Sequence, residues 1–453
     1  MSEENNRIER VGNYIKGSST VKLITITVLM LLLLIPTSMV KSIIQERELL
    51  NAQATEEVSS KWANEQTISG PILTIPVVYE YESGEKLHTT TKNWHILPKE
   101  LNIAGEVIPE KLKRGIYEVI VYGSSIDIDG TFEIDNKPDP SNLKEIQYDR
   151  AFLTLGLSDL RGVKNEMLVN WGKKNLKVDP GSKLDKLISS GVTVRLPNLK
   201  ESLKNEIDFS TKVELQGSGN LSFIPVGNTT RVKMASPWSA PAFNGNFLPD
   251  NREVSDDGFV ADWSVLEINR NYPQSWIGSG NAAALSQSVF GIDFLNPLDD
   301  YQKSYRSSKY AVLTISLTFL VFFLVEVLNR RRIHPFQYTL VGLAICLFYV
   351  LLVSISEHSN FDLAYGISSL AIVVLICLYS LSVFKKVRFS LILTAVLASL
   401  YGFLFVTLQL SDYALLMGSI GLTVILGATM YFTRNIDWYQ SKISNNAVSP
   451  ANS

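Results

Sequence analysis

Six apolar stretches interrupt an otherwise polar chain, at residues 23–40, 310–328, 337–355, 363–384, 389–410 and 413–432. Each holds roughly 18–22 residues, which as helix crosses a hydrocarbon core about 30 Å thick. Backbone polar groups find no water inside lipid, so each stretch is predicted to be a helix. One stretch lies near the N-terminus and five fill the last third, leaving about 260 polar residues between them. The pattern describes a membrane protein with one large domain outside the lipid.

The polar segment reads as mostly β. It opens on a helical stripe, Leu50, Ala54, Val58 and Trp62, which is expected to continue the first span outward as a stalk. Gly70-Pro71 then breaks the helix. Residues 72–81 form a strand candidate interrupted by Pro76, which predicts an edge or bulged strand. Further on, apolar residues alternate with polar ones. Ile126, Ile128, Phe132 and Ile134 share one face; Val232 and Met234 share another; so do Phe259, Ala261, Trp263 and Val265. Val213 and Leu215 alternate likewise, Gly217-Ser218-Gly219-Asn220 reads as a turn, and Leu221 and Phe223 resume, which predicts a hairpin. One wet face and one buried face imply antiparallel sheets in two layers, a sandwich by default. Residues 159–171 and 198–205 look more helical. The fold class is therefore a six-span helical membrane protein, one N-terminal span plus a five-helix bundle, with a large, mostly antiparallel β extracytoplasmic domain.

Short loops set the orientation. Arg330, Arg331 and Arg332 follow the second span; Lys385, Lys386 and Arg388 surround the turn after the fourth; Arg434 follows the sixth. The intervening connections, 356–362 and 411–412, hold no Lys or Arg. Both termini are thus predicted in the cytoplasm and the large domain outside. Lys303, Arg306 and Lys309 precede the second span on the outer side, but long domains translocate largely regardless of charge. Thr37-Ser38-Met39-Val40-Lys41 holds no A-x-A-like cleavage site, so the first span reads as an uncleaved anchor, which Pro36 is expected to kink. The expected segments are a cytoplasmic tail at 1–22, an anchor at 23–44, the β-rich domain at 45–305, the bundle at 306–434 and a disordered tail at 435–453.

A net charge of −2 gives no basic balance toward nucleic acid. Cys346 and Cys377, the only cysteines, both lie in spans, so the polar domain has neither disulfide nor thiolate. It must rest on a hydrophobic core. The sequence holds no phosphate-cradling G-x-x-x-x-G-K-[ST] loop, no H-E-x-x-H and no Cys/His zinc spacing, and Gly217-x-Gly219 stands alone. No catalytic, cofactor or metal residue is assigned. His88 and His95 have opposite parity on a strand, against a shared metal. His334-Pro335 suits a helix start. Glu357, His358 and Asp362 gather in one short connection at the membrane face, with Asp299 and Asp300 arriving at the same level. They are read as a helix cap or as a proton or metal site. Glu326 is the most embedded acid, and Arg330 four residues later makes an i, i+4 ion pair the expected account.

Several blocks carry a family resemblance. They are Ser69-Gly70-Pro71-Ile72-Leu73-Thr74-Ile75-Pro76; Gly217, Gly219, Leu221, Ser222, Phe223 and Pro225; and Phe247-Leu248-Pro249 with Asp256-Asp257-Gly258-Phe259 and Trp263. The most specific are Gly291-Ile292-Asp293 through Asp300-Tyr301-Gln302-Lys303, and His334-Pro335-Phe336-Gln337-Tyr338 through Ser354-Ile355-Ser356-Glu357-His358. In layout and in these blocks the chain resembles the CreD family of bacterial inner-membrane proteins. The resemblance implies a multi-pass protein of the bacterial inner membrane that maintains envelope integrity, with no cofactor and no catalytic residue to carry over. The partners expected are the lipid bilayer and a cell-wall or envelope protein, not nucleic acid. Strand edges around Pro76 are one expected docking point. The alternative is a membrane enzyme or transporter acting on lipid-linked or small envelope molecules, with its site near Glu357, His358, Asp362 and Asp299.

Overall fold

The computed structural model describes residues 19–83, 86–134, 138–196, 199–202, 206–294, 300–329, 333–384, 386–410 and 414–434. Contacts divide the chain into two units, Met1–Leu50 with Leu298–Ser453, and Asn51–Pro297. The division falls inside one helix, Leu34–Trp62.

The Asn51–Pro297 unit is built from two sheets, of ten and eight strands. The longest strand of the larger sheet, Gln66–Ser83, runs through its middle. It pairs in parallel with Asn220–Ile224 and antiparallel with Lys86–Ile96, Phe152–Leu157 and Leu143–Ile146. In the smaller sheet Glu100–Arg114, Tyr117–Phe132 and Ile207–Ser218 form the centre, flanked by Thr229–Ser236 and Gly258–Leu266 on one side and Leu168–Trp171 on the other. Pairing is antiparallel except where Gln66–Ser83 meets Asn220–Ile224 and where Glu100–Arg114 meets Thr229–Ser236. The alternating side chains do what their period requires. Ile126, Ile128, Phe132, Val232, Met234, Ala261 and Trp263 all enter one continuous core, and their polar neighbours along each strand lie nearer water. Ile134 is only partly buried against that core.

Three expectations are corrected. Pro76 does not mark an edge. It pairs with Asn93 on one side, while on the other its carbonyl accepts from the Gln147 amide. The missing proline N–H faces the gap where Phe152–Leu157 ends and Leu143–Ile146 begins, so no ladder bond is lost. The bulge half of the expectation holds, since register shifts fall at Ser69/Ile72 and Val78/Tyr79. The segment 207–224 is not a hairpin. Ile207–Ser218 lies in the smaller sheet and Asn220–Ile224 in the larger, so the glycine turn carries the chain between layers. Gly219 sits at φ 67° and bonds both ways, its N–H to Ile120 and its carbonyl to the Phe294 amide. Residues 159–171 contain a single 3₁₀ turn, Leu160–Gly162, followed by the strand Leu168–Trp171. A short helix does occur at Leu199–Ser202.

The other unit is helical. Ser19–Leu32 leads into Leu34–Trp62, and the helix lapses at Leu33, where Pro36 withholds a donor from the preceding turn. Asp300–Lys309, Ala311–Asn329, Pro335–Ser356, Phe361–Phe384, Val387–Gln409 and Ala414–Thr433 follow. Among the described residues five helices are long and apolar enough to span a membrane: Val21–Trp62, Gln302–Glu326, Pro335–Ser356, Phe361–Phe384 and Val387–Gln409. Leu416–Tyr431 is a shorter apolar helix. Pro335 opens its helix as expected: the His334 ring accepts from the Phe336 amide, and Gln337 bonds back to the His334 N–H.

Candidate functional site

Chain crossings between the two sheets build a groove at one end of the β unit. Residues 97–99 lead from Lys86–Ile96 into Glu100–Arg114, 225–228 lead from Asn220–Ile224 into Thr229–Ser236, and 267–274 lead from Gly258–Leu266 into Ser275–Ile277. Backbone bonds lace them together: Leu97 N–H to Gln274, Asn228 N–H to Pro98, Thr229 N–H to Lys99 and Glu267 N–H to Asn228. The groove holds about 380 Å³ and is lined by Lys99, Glu133, Asn228, Glu267, Gln274 and Ser275 over an apolar floor of Ile96, Leu97 and Ile134. That size lies within the range of small-molecule sites.

Its polar groups are pre-set by pairing. Lys99 bridges Glu133 and Glu206, and those bonds raise its pKa above the ordinary lysine value. The Asn228 amide donates to Glu267 at 2.6 Å. Behind the wall lies Arg270, 7% exposed, donating to the carbonyls of Tyr272 and Gly227 at 3.2 and 3.3 Å and to the Gln274 side chain. Its guanidinium stacks 4.5 Å from the Tyr272 ring centre, and burial lowers its pKa. Arg270 thereby fixes Gln274 at the groove wall.

His95 also lies in this unit and is 2% exposed. Its Nδ1 shares a hydrogen bond with the Thr74 hydroxyl at 3.0 Å, its ring packs on Trp276, and burial pushes its pKa down to about 4. His88 is exposed and stacks on Tyr81. The two histidines have separate partners, and no group of three potential metal ligands occurs among the described residues.

In the helical unit Glu326 is 6% exposed. Lys22 donates to its Oε1, the Ile333 amide reaches the same oxygen at 3.0 Å, and the Tyr338 hydroxyl donates to Oε2 at 3.0 Å. Lys22 also donates to the Ile333 carbonyl at 2.9 Å. One carboxylate thus joins three helices. Arg330, its expected partner, lies outside the described residues. The sequence marks Tyr338 only within a motif and gives Lys22, the basic flank of the first span, no partner. The available signal was that one Lys and one Glu interrupt apolar runs from different helices.

The charged connection resolves into separate partnerships. Glu357 pairs with Arg47 at 3.2 Å. His358 is exposed and its Nδ1 lies 3.2 Å from the Ser354 carbonyl, one turn back. Asp362 is exposed and accepts from the Gln409 amide. Asn360, not an acid, caps the following helix by accepting from the Leu363 N–H at 2.9 Å. Asp299 lies outside the described residues, and Asp300 begins the Asp300–Lys309 helix. Lys99, Glu267 and Arg270 went unmarked in the sequence, because crossing loops have no periodicity to expose them.

Comparison with known proteins covers nearly the whole chain. The family described as "Inner membrane protein CreD" matches residues 18–439. Inner membrane protein CreD of Escherichia coli (strain K12) is 32% identical over 415 residues, which is 90% of this chain and 91% of that protein.

Proposed function

The chain belongs to the CreD family of inner membrane proteins, and on that premise we propose that it maintains cell-envelope integrity by binding rather than by catalysis. The helices anchor it, both termini lie in the cytoplasm, and the β unit faces outward to hold a cell-wall or envelope partner. The observation that carries this reading is the groove at the sheet crossings. Its charges are matched in pairs and amide bonds on crossing loops tied together by backbone bonds, which suits recognition by shape and hydrogen bonding. Docking by strand addition at Pro76 is set aside, since both flanks of that position are bonded.

A second reading places transport or catalysis at the membrane face, on Glu357, His358 and Asp362 with Asp299 and Asp300. The favouring observation is the low exposure of the Glu357 side chain, 11%, beside Arg47. Complementation of an envelope-stress defect separates the two at matched membrane levels of protein. Lys99→Ala with Glu267→Ala abolishes rescue under the binding reading, while Glu357→Ala, His358→Ala and Asp362→Ala each retain it. Full rescue by the groove variant sinks the binding reading. Loss of rescue by one connection variant alone moves the function to the membrane face.

A further inference from the structure

The Asp300–Lys309 helix carries its cations on one side. Lys303, Arg306 and Lys309 recur every three residues, about 60° apart around the helix. Ser304 and Ser308 lie across the helix from Arg306, Ser307 lies about 40° from Lys303, and all three serines are buried against the helical unit, where the helix meets Pro335–Ser356, Phe361–Phe384 and Val387–Gln409. The Lys303 ammonium lies 5.7 Å from the Phe361 ring centre, and that of Lys309 lies 4.8 Å from the Tyr305 ring. Among the described side chains none offers a carboxylate to Lys303, Arg306 or Lys309, and none is hydrogen-bonded to Arg306.

The level of this stripe matters. Phe361 opens the Phe361–Phe384 span, so Lys303 stands at the surface end of a membrane helix. At about 1.5 Å per residue the stripe descends about 9 Å from Lys303 to Lys309. A bilayer with headgroups is about 40–45 Å thick around a core of about 30 Å, leaving about 5–8 Å of polar layer per face. The stripe therefore spans the phosphate layer and stops where the apolar helix Ala311–Asn329 begins. Tyr305 and Tyr310, both partly buried, flank it as interfacial aromatics do. The sequence also places Arg330, Arg331 and Arg332 at the far end of the same span, so the stripe does not serve as the orienting charge.

We propose that Lys303, Arg306 and Lys309 form a binding site for the phosphate of anionic membrane lipids. Arg306 supplies the forked donor that matches two phosphate oxygens, and the lysines supply flanking point charges. The buried serine face holds the helix in place, and Lys303 and Lys309 are steadied over aromatic rings. Lipid phosphate then neutralises a cationic face that the described side chains leave uncompensated.

The test uses the full chain reconstituted in vesicles of equal phosphatidylglycerol and phosphatidylcholine, with mass spectrometry of the lipids retained after detergent extraction. Wild type retains phosphatidylglycerol in excess of its bulk share. Arg306→Gln lowers that excess about fivefold, on the order of one interfacial cation's contribution. Lys303→Arg with Lys309→Arg keeps it. Raising salt on the wild type erases it, which tests the charge without any variant. Equal retention of the two lipids by wild type, or an unchanged excess in Arg306→Gln, overturns the proposal. Millimolar inorganic phosphate leaves the excess intact if the site reads bilayer phosphate; abolition by phosphate overturns the lipid assignment in favour of a free-anion site.

Discussion

The two units both bury large apolar side chains but turn opposite surfaces outward. In the β unit large apolar side chains such as Phe132, Phe223 and Phe290 are fully buried, and polar residues face water. In the helical unit Leu370, Leu378 and Val424 are 66%, 63% and 64% exposed, while Ser368, Ser380 and Ser390 are 0% exposed. Water drives the first arrangement. In lipid an exposed leucine costs nothing, so the helices pack through small residues such as these serines together with buried aromatics such as Phe322 and Phe348. The contrast extends to ionisable groups. The β unit buries His95 without a charged partner, so it stays neutral. The helical unit buries Glu326 with an ammonium, a phenol and an amide around it. Of these two buried groups the histidine stays neutral and the carboxylate is paired, while Arg270 of the β unit keeps its charge among carbonyls and the Gln274 side chain.

That contrast predicts its largest effect at Glu326. Glu326→Leu takes the carboxylate away from Lys22, the Ile333 amide and the Tyr338 hydroxyl, and removing one partner of a buried pair costs up to about 3–5 kcal/mol. Thermal retention of the full-length protein in detergent should fall sharply. Lys22→Leu with Glu326→Leu should recover most of the loss, since replacing both charges leaves none unpaired. Equal melting of the single variant and wild type would show that the node bears no load.

His95 probes the neutral strategy. Its pKa is lowered from 6.5 to about 4 by burial. As pH falls, the unfolded chain binds a proton near its ordinary value while the folded chain refuses one until about 4. The unfolded state then binds more protons, so stability is full above about pH 6.5 and declines down to about 4. The decline is on the order of 3 kcal/mol for a shift of this size. Asp159, held down to about 2 by Arg161 and the Asn64 and Arg161 amides, acts at lower pH, from its ordinary value of 3.8 down to 2. His95→Gln offers Thr74 an amide and has no charge to gain, so its melting temperature should vary less between pH 6.5 and 4. An unaltered pH profile in that variant would remove His95 from the account.

The same contrast explains what could be read in advance. Apolar length alone located the spans, because lipid allows only satisfied helices. Period-two alternation located strands such as Gly258–Leu266, since one wet face forces it. Layer assignment was not legible. Val213, Leu215, Leu221 and Phe223 carry one pattern across Gly217–Asn220 whether the chain reverses or changes sheet. Pro76 misled because its effect depends on which neighbour needs a donor, a tertiary fact. The groove residues escaped because three distant loops supply them, and Lys22 escaped because its partner lies 304 positions away.

The layer change itself gives the smallest prediction. Gly219 adopts φ 67°, and a Cβ placed there meets nothing within 4 Å. Gly219→Ala therefore pays only for backbone conformation, about 1 kcal/mol. Gly219→Asn should lose less than Ala, because asparagine tolerates the left-handed region. Gly217 makes the contrast within the same turn. A Cβ there would lie 2.3 Å from the Tyr122 hydroxyl, which donates to the Asn220 carbonyl at 2.8 Å. Gly217→Ala must displace a buried ring and its bond, so it should destabilise more than either change at 219. Melting temperatures should fall in the order wild type, Gly219→Asn, Gly219→Ala, Gly217→Ala. If Gly219→Ala proved worse than Gly217→Ala, crowding between the layers would lie at residue 219, and the open corner described there would be wrong.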